Sequence, residues 1–343
     1  MFRRIQLGVC FALLSSLIAT LHLVPPAAQT TEPEIRARAR VFPDVGAGLI
    51  GIKRDAVGHY YVVASPANTV LVFSAGGKRI DEIPNATVQT AAPPDPRKNP
   101  KIVFAADFDV DSGGRVLVAD RGANNIKIFT PDGSLAGMIP IPAPTSVAAL
   151  PGDELAVTSL RYRWLMGIYG YAGTLIRAIG DPADFTHGAD ARHTPDLGRV
   201  SSDPAGNLYF VFLFLPEPTV RRFDRFGFGG NEIALDEFAA AARHRELFSS
   251  DSDDNPHSVR LQINALAVDS TTQEIWIAIG NELRRFDKNG VAIGSYRTLS
   301  PAGAPLTAKA ILVEPGRLLI GTESWGIFDF AMPAKASANS SPR

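Results

Sequence analysis

The stretch GGRVLVADRGANNIKIFTPDG, residues 113–133, decides how this chain is read. Two short runs, VLVA and IKIF, are β-branched and apolar and are bounded by Gly, Asp and Asn, the pattern of strands between turns. A hairpin needs only two connecting residues, yet six separate these runs, Asp120 to Asn125. Such a loop bends across a twisted sheet, with Asp and Asn side chains satisfying its backbone donors locally. Asp120, Asn124 and Asn125 are therefore read as structural.

The second run ends in Phe129, with Gly133 four positions later, and the device recurs. VLVFSAGG has Phe73 and Gly77, GIYGYAG has Tyr169 and Gly173, VRRFDRFG has Phe223 and Gly227, and LRRFDKNG has Phe286 and Gly290. An apolar residue stands three before each aromatic: Val70, Ile126, Met166, Val220 and Leu283. A sixth, imperfect copy is WGIFDF, aligned through Trp325 and Phe328 and followed by no Gly. The aromatics stand 40 to 63 residues apart, and repeats of roughly 40–50 residues match one four-stranded propeller blade. Upstream of most copies lies a turn and a second strand, as in DAVGHYYVVA (55–64), DPAGNLYFVF (203–212), DSTTQEIWIAI (269–279) and EPGRLLIG (314–321). Helical periodicity is confined to EFAAAARHRELF (237–248), read as a short helix in a long connection.

These units resemble the NHL-type family of six-bladed β-propellers, with DVDSGGRVLVADRGANNIKIFTPDG the most complete match and the resemblance running from about 45 to 332. The implied fold is an all-β, six-bladed β-propeller of four-stranded antiparallel blades. The sixth blade lacks an outer strand, and an unpaired edge is a liability. RARARVFPD (36–44) is expected to supply that strand by pairing with WGIFDF, closing the ring. The organisation read from the sequence is a signal peptide or signal anchor at 1–30, a linker and closing strand at 31–44, the propeller at 45–332 and a disordered tail at 333–343.

Arg3 and Arg4 precede an apolar run from Ile5 to Val24 and then small residues around Ala27 and Ala28, the layout of a secretory signal peptide. An uncleaved anchor is the alternative, since the run nearly spans a bilayer. Either sends the chain out of the cytoplasm, periplasmic or secreted. Cys10 is the only cysteine, so the remainder folds without disulfides or cysteine metal sites. The formal net charge is −1; the first 30 residues hold two Arg and no acid, leaving 32 basic against 35 acidic residues, a net of −3. Nucleic-acid binding needs a basic face and is not expected. Membrane contact is expected only through an uncleaved N-terminal segment, and the chain is expected to be a monomer.

There is no G-x-S-x-G, no Walker loop and no H-E-x-x-H. His187, His193 and His257 lie among acidic residues, and DSDDN (251–255) resembles a calcium loop but lacks its Gly and distal Glu. These histidines and Asp107 are the secondary candidates for a divalent ion such as calcium; no cofactor is expected. Enzymatic six-bladed propellers, such as gluconolactonase-like hydrolases and amidating lyases, place ligands on the inner strands around the channel. The corresponding positions here include Asp107, Ser146, Ser201, Asn264 and Lys309, of which only Asp107 and Asn264 suit such a site. The favoured expectation is a non-catalytic module that binds a protein, peptide or glycan on its loop-rich face, through Arg121, Arg161, Arg163, Trp164, Asn264 and Trp325, Arg and Trp being typical hot-spot residues. The alternative is a metal-dependent, lactonase-like hydrolase or lyase at the channel mouth.

Overall fold

The computed structural model describes residues 33–85, 99–181, 197–213, 219–234 and 263–334. The N-terminal segment 1–30, the helix expected at 237–248, most of the long connections, His187, His193, His257 and the tail from 335 lie outside the described residues. Two short strands come first, β1 (Glu34–Arg36) and β2 (Ala39–Val41). Blade 1 holds β3 (Gly51–Arg54), β4 (Tyr60–Val63), β5 (Val70–Phe73) and β6 (Arg79–Ile83). Blade 2 holds β7 (Ala105–Val110), β8 (Val116–Asp120), β9 (Asn125–Phe129) and β10 (Leu135–Pro140), and blade 3 β11 (Pro144–Leu150), β12 (Glu154–Ser159), β13 (Met166–Gly170) and β14 (Leu175–Ile179). Blade 4 holds β15 (Gly198–Ser202), β16 (Leu208–Phe212), β17 (Thr219–Phe223) and β18 (Gly229–Ala234). Blade 5 holds β19 (Ala265–Val268), β20 (Ile275–Ile279), β21 (Glu282–Phe286) and β22 (Ala292–Leu299), and blade 6 β23 (Ala308–Glu314), β24 (Arg317–Thr322) and β25 (Gly326–Ala331). The fold is a six-bladed β-propeller of antiparallel four-stranded blades.

Each second strand lies inside its sheet and between two neighbouring blades. That is why YYVV, VLVAD and LYFVF read as continuous apolar runs rather than alternating ones; every residue of β4, β8 and β16 is buried. Alternate residues face opposite neighbours. Val116 and Val118 pack with Val63 and Val70 of blade 1, while Leu117 and Ala119 pack with Leu155 and Val157 of blade 3. The core is accordingly divided into six slabs, one between each pair of adjacent blades. Fully buried side chains such as Phe129, Phe210 and Trp276 each contribute roughly 1.5–3 kcal/mol.

In four blades the repeated aromatic ends the third strand opposite the start of the second, Phe73 on Tyr60, Phe129 on Val116, Phe223 on Leu208 and Phe286 on Ile275, and in blade 3 Tyr169 stands one residue before the strand end, opposite Leu155. In blade 6 the residue in that place is Phe330, opposite Leu318. The sixth copy is thus aligned through Ile327 and Phe330, a correction of two residues to the alignment through Trp325 and Phe328. Trp325 falls in the turn before β25 and is 58% exposed.

The ring closes as expected: β2 pairs antiparallel with β25, Ala39 opposite Asp329 and Val41 opposite Ile327. Arg38 adds an ion pair to Asp329 at 3.0 Å. Blade 5 departs from the expected four strands, because β1 adds to it in parallel, Glu34 beside Arg297 and Arg36 beside Leu299. The reason lies in β22, which is eight residues long and carries its outer edge past the rest of its blade. An edge that long needs covering, and β1 covers it before the chain crosses to blade 6.

Candidate functional site

The six inner strands surround a central channel whose cavity has a volume of about 570 Å³. Cross-strand register sets the levels within it. Gly51, Asp107, Ser146, Arg199, Ala265 and Ala310 lie opposite equivalent second-strand residues, Val63, Ala119, Thr158, Val211, Ala278 and Gly321. One pleat below, Lys53, Asp109, Ala148, Ser201, Ala267 and Leu312 form the next level, by the same pairings. Blades 1, 2 and 4 line the cavity with Lys53, Asp107, Asp109, Arg199 and Ser201, while blades 5 and 6 line it mainly with Ala, Leu, Ile and Val beside Ser270, Lys309 and Glu314.

The channel carboxylates are tied to neighbouring blades. Asp107 accepts the Ser146 hydroxyl and the Phe108 amide, the latter at 2.9 Å, and Ser146 accepts the Val200 amide at 3.2 Å. Asp109 accepts the Ala149 amide at 2.9 Å and pairs with Lys53 at 3.0 Å. Ser202 then donates to the Ala149 carbonyl at 2.7 Å. Burial opposes the charge on Lys53, but Asp109 and Asp107 outweigh it and hold the ammonium above its ordinary range. Lys53, Asp109 and Arg199 were not singled out from the sequence. The available signal was a charged residue inside each of the inner-strand runs GIKR, ADFDV and GRVSS.

Of the loop-face candidates, Arg121, Arg161, Arg163, Trp164 and Trp325 all sit in connections between second and third strands, at one end of the blades. Arg121 is exposed and stacks 5.1 Å from the centre of the Phe104 ring. Arg161 and Arg163 are exposed, and between them Tyr162 turns inward to share a hydrogen bond of 2.6 Å with the Tyr169 hydroxyl. Burial, then Tyr169, pushes the Tyr162 phenol up. Trp164 stands 5.2 Å from the Tyr162 ring, and its buried Nε1 has no acceptor among the described residues. Asn264 lies apart from these loops. It precedes β19 and its amide donates to the Ala278 carbonyl at 2.8 Å. None of the six lines the channel cavity, whereas Asp107 does.

The Asp120–Asn125 loop is structural. Asp120 is fully buried and accepts the amides of Val103, Phe104 and Ala123 at 2.9, 3.0 and 3.1 Å. Lys127, also buried, donates to it at 2.5 Å and to the Lys101 carbonyl at 2.7 Å. Asn124 takes a left-handed φ of 55° and accepts the Ala143 amide at 2.8 Å. Burial would raise the Asp120 carboxyl, but Lys127 and the Phe104 and Val103 amides outweigh it and hold it below the ordinary carboxylate range. Among the described residues, no three His, Cys, Asp or Glu gather where they could hold a metal ion.

The chain is similar in structure to a gluconolactonase from Xanthomonas campestris, with a TM-score of 0.54 and 15% identity, over 88% of this chain and 95% of that one. It is also similar to a catalytically inactive virginiamycin B lyase from Staphylococcus aureus with quinupristin, with a TM-score of 0.52 and 14% identity over 85% and 83%. A third neighbour is the WD40 β-propeller domain of Doa1, with a TM-score of 0.51 and 10% identity over 83% and 79%. At these identities the likeness is one of fold. No family model and no curated protein sequence matches the chain.

Proposed function

We propose that this chain is an exported propeller of the NHL type that acts as a non-catalytic binding or scaffold module. It takes a protein, peptide or glycan on the face formed by its second-to-third-strand loops. The observation that carries this reading is the state of the channel carboxylates. A propeller hydrolase or lyase that uses a divalent ion needs acidic or imidazole ligands free to turn on the metal. Here Asp107 is held by a hydroxyl and an amide, and Asp109 by an amide and an ammonium 3.0 Å away. A cation already paired with the acid opposes the entry of a second one. The loop face, in contrast, offers exposed Arg121, Arg161, Arg163 and Trp325 on a rigid scaffold, the setting in which recognition residues usually sit.

The competing reading is a metal-dependent hydrolase or lyase at the channel mouth. It draws support from the names of the gluconolactonase and lyase neighbours. The two are separated by a peptide and glycan array probed with the full chain and with Arg121→Glu and Arg163→Glu variants. The binding reading expects these reversals to abolish a specific signal without shifting the melting temperature. Binding that responds instead to Lys288→Glu, in a turn at the opposite end of the blades, would place recognition on the wrong face.

A further inference from the structure

Arg199 stands out among the charged groups of the channel. Lys53 is matched by Asp109, and Lys309 is matched by Glu323 at 3.1 Å. Arg199 lines the same cavity and is half-buried, and its side chain makes no hydrogen bond or ion pair among the described residues. Its positive charge is felt at Lys53, on the strand across the ring. A guanidinium offers five donors in a fixed fork that matches a carboxylate bidentately.

Space lies beside it. At the level of Arg199 the ring continues through Ala265, Ala310 and Gly51, three small residues in succession. The level below continues from Ser201 through Ala267 to Leu312. At these two levels the cavity is thus polar on blades 1, 2 and 4 and apolar on blades 5 and 6, whose charged lining residues Lys309 and Glu314 are paired with Glu323 and Arg54. Its volume of about 570 Å³ falls within the roughly 300–1,000 Å³ range of small-molecule sites. Asp107 and Asp109 occupy the same two levels, so a dianion would be repelled while a single negative charge beside Arg199 is tolerated.

We propose that the channel binds a small organic monocarboxylate, anchored by the Arg199 guanidinium, with its hydrocarbon body against Leu266, Val268, Leu312 and Val313. This site is separate from the loop face, and it stands or falls independently of the reading given there.

The probe is 4-phenylbutyrate, titrated calorimetrically into the full chain, with 4-phenylbutanol and inorganic phosphate as comparisons. The side-chain Nε–H resonance of Arg199 is followed by NMR in the same samples. The acid is expected to saturate and to shift that resonance, while the alcohol and phosphate bind at least about tenfold more weakly. Arg199→Ala is expected to lose about tenfold or more in affinity for the acid, Arg199→Lys to retain part of it, and Lys288→Ala to match the parent. Melting curves verify that each variant is folded. Equal binding of acid and alcohol, tighter binding of phosphate, or acid binding indifferent to Arg199→Ala would each overturn the proposal. So would the absence of saturable binding up to about 10 mM, which corresponds to an interaction weaker than roughly 3 kcal/mol.

Discussion

Asp120 and Lys127 form an ion pair with almost no exposure, closed on every side by backbone donors and an acceptor. Removing one partner of such a pair leaves the other charge buried and unpaired, which costs about 3–5 kcal/mol. Asp120→Asn is therefore expected to lower stability by that order in urea unfolding, while the paired replacement Asp120→Leu with Lys127→Met loses less. The pair also sets an acid limit. The folded carboxyl is held below its unfolded value of about 3.9, so its contribution is complete above that value and disappears as the pH falls through the lower folded one. Between about pH 5 and about pH 3 the parent should lose more stability than Asp120→Asn does. An identical acid profile for both would contradict the assignment. The sequence identified Asp120 as a structural loop residue because its turn chemistry is local. It did not reveal Lys127 as the partner, since a Lys on an apolar strand looks like a solvated one. The channel pairs were hidden for a related reason: Lys53 and Asp109 meet across two blades, and spacing along the chain does not encode that meeting.

At the scale of the strand and its turns, one device recurs. The carboxylate opening a first hairpin accepts a tyrosine hydroxyl: Tyr61 on Asp55 at 3.0 Å, Tyr171 on Asp111 at 3.0 Å and Tyr209 on Asp203 at 3.2 Å. Burial, then the Asp203 charge, pushes the Tyr209 phenol up to about 12. Tyr61 and Tyr171 are likewise pushed up, by burial and their acids. A raised phenol stabilises the fold below its unfolded value of about 10, and that contribution disappears as the pH rises through the folded value. In an ultraviolet titration these tyrosines should ionise late, together with alkaline unfolding. If all seven tyrosines titrated near 10 with the fold intact, the device would be absent. Close packing makes its own prediction at Gly198, where an added Cβ would stand 2.1 Å from the Phe210 ring. Overpacking of this kind costs typically 1–3 kcal/mol, so Gly198→Ala should lower the urea midpoint measurably. The closing strand was legible because blade 6 visibly lacks an outer partner. The strand β1 was not, because a repeat period says nothing of how far an outer strand overruns its blade. The register of blade 6 slipped for a concrete reason: WGIFDF carries aromatics at 325, 328 and 330, and spacing alone does not choose among them.

Across the whole molecule, six inter-blade slabs form one closed circuit, and two N-terminal strands hold its last two blades. Deleting residues 33–46 removes both straps and exposes the edges of β22 and β25. The truncated chain should melt well below the full one and with less cooperativity; equal melting would show that the ring is held closed elsewhere. With Cys10 the only cysteine, melting should also be indifferent to reductant. Function was less legible than fold at this scale, because the repeat specifies the scaffold while the channel chemistry depends on which blades present charge to one another. The central claim is that the channel acids serve the scaffold and not a metal centre. Calorimetric titration of calcium into the EDTA-treated full chain tests it most directly. The account predicts no saturable heat and no gain in melting temperature; one tightly bound ion per chain, retained through dialysis and lost in Asp107→Asn, would contradict it.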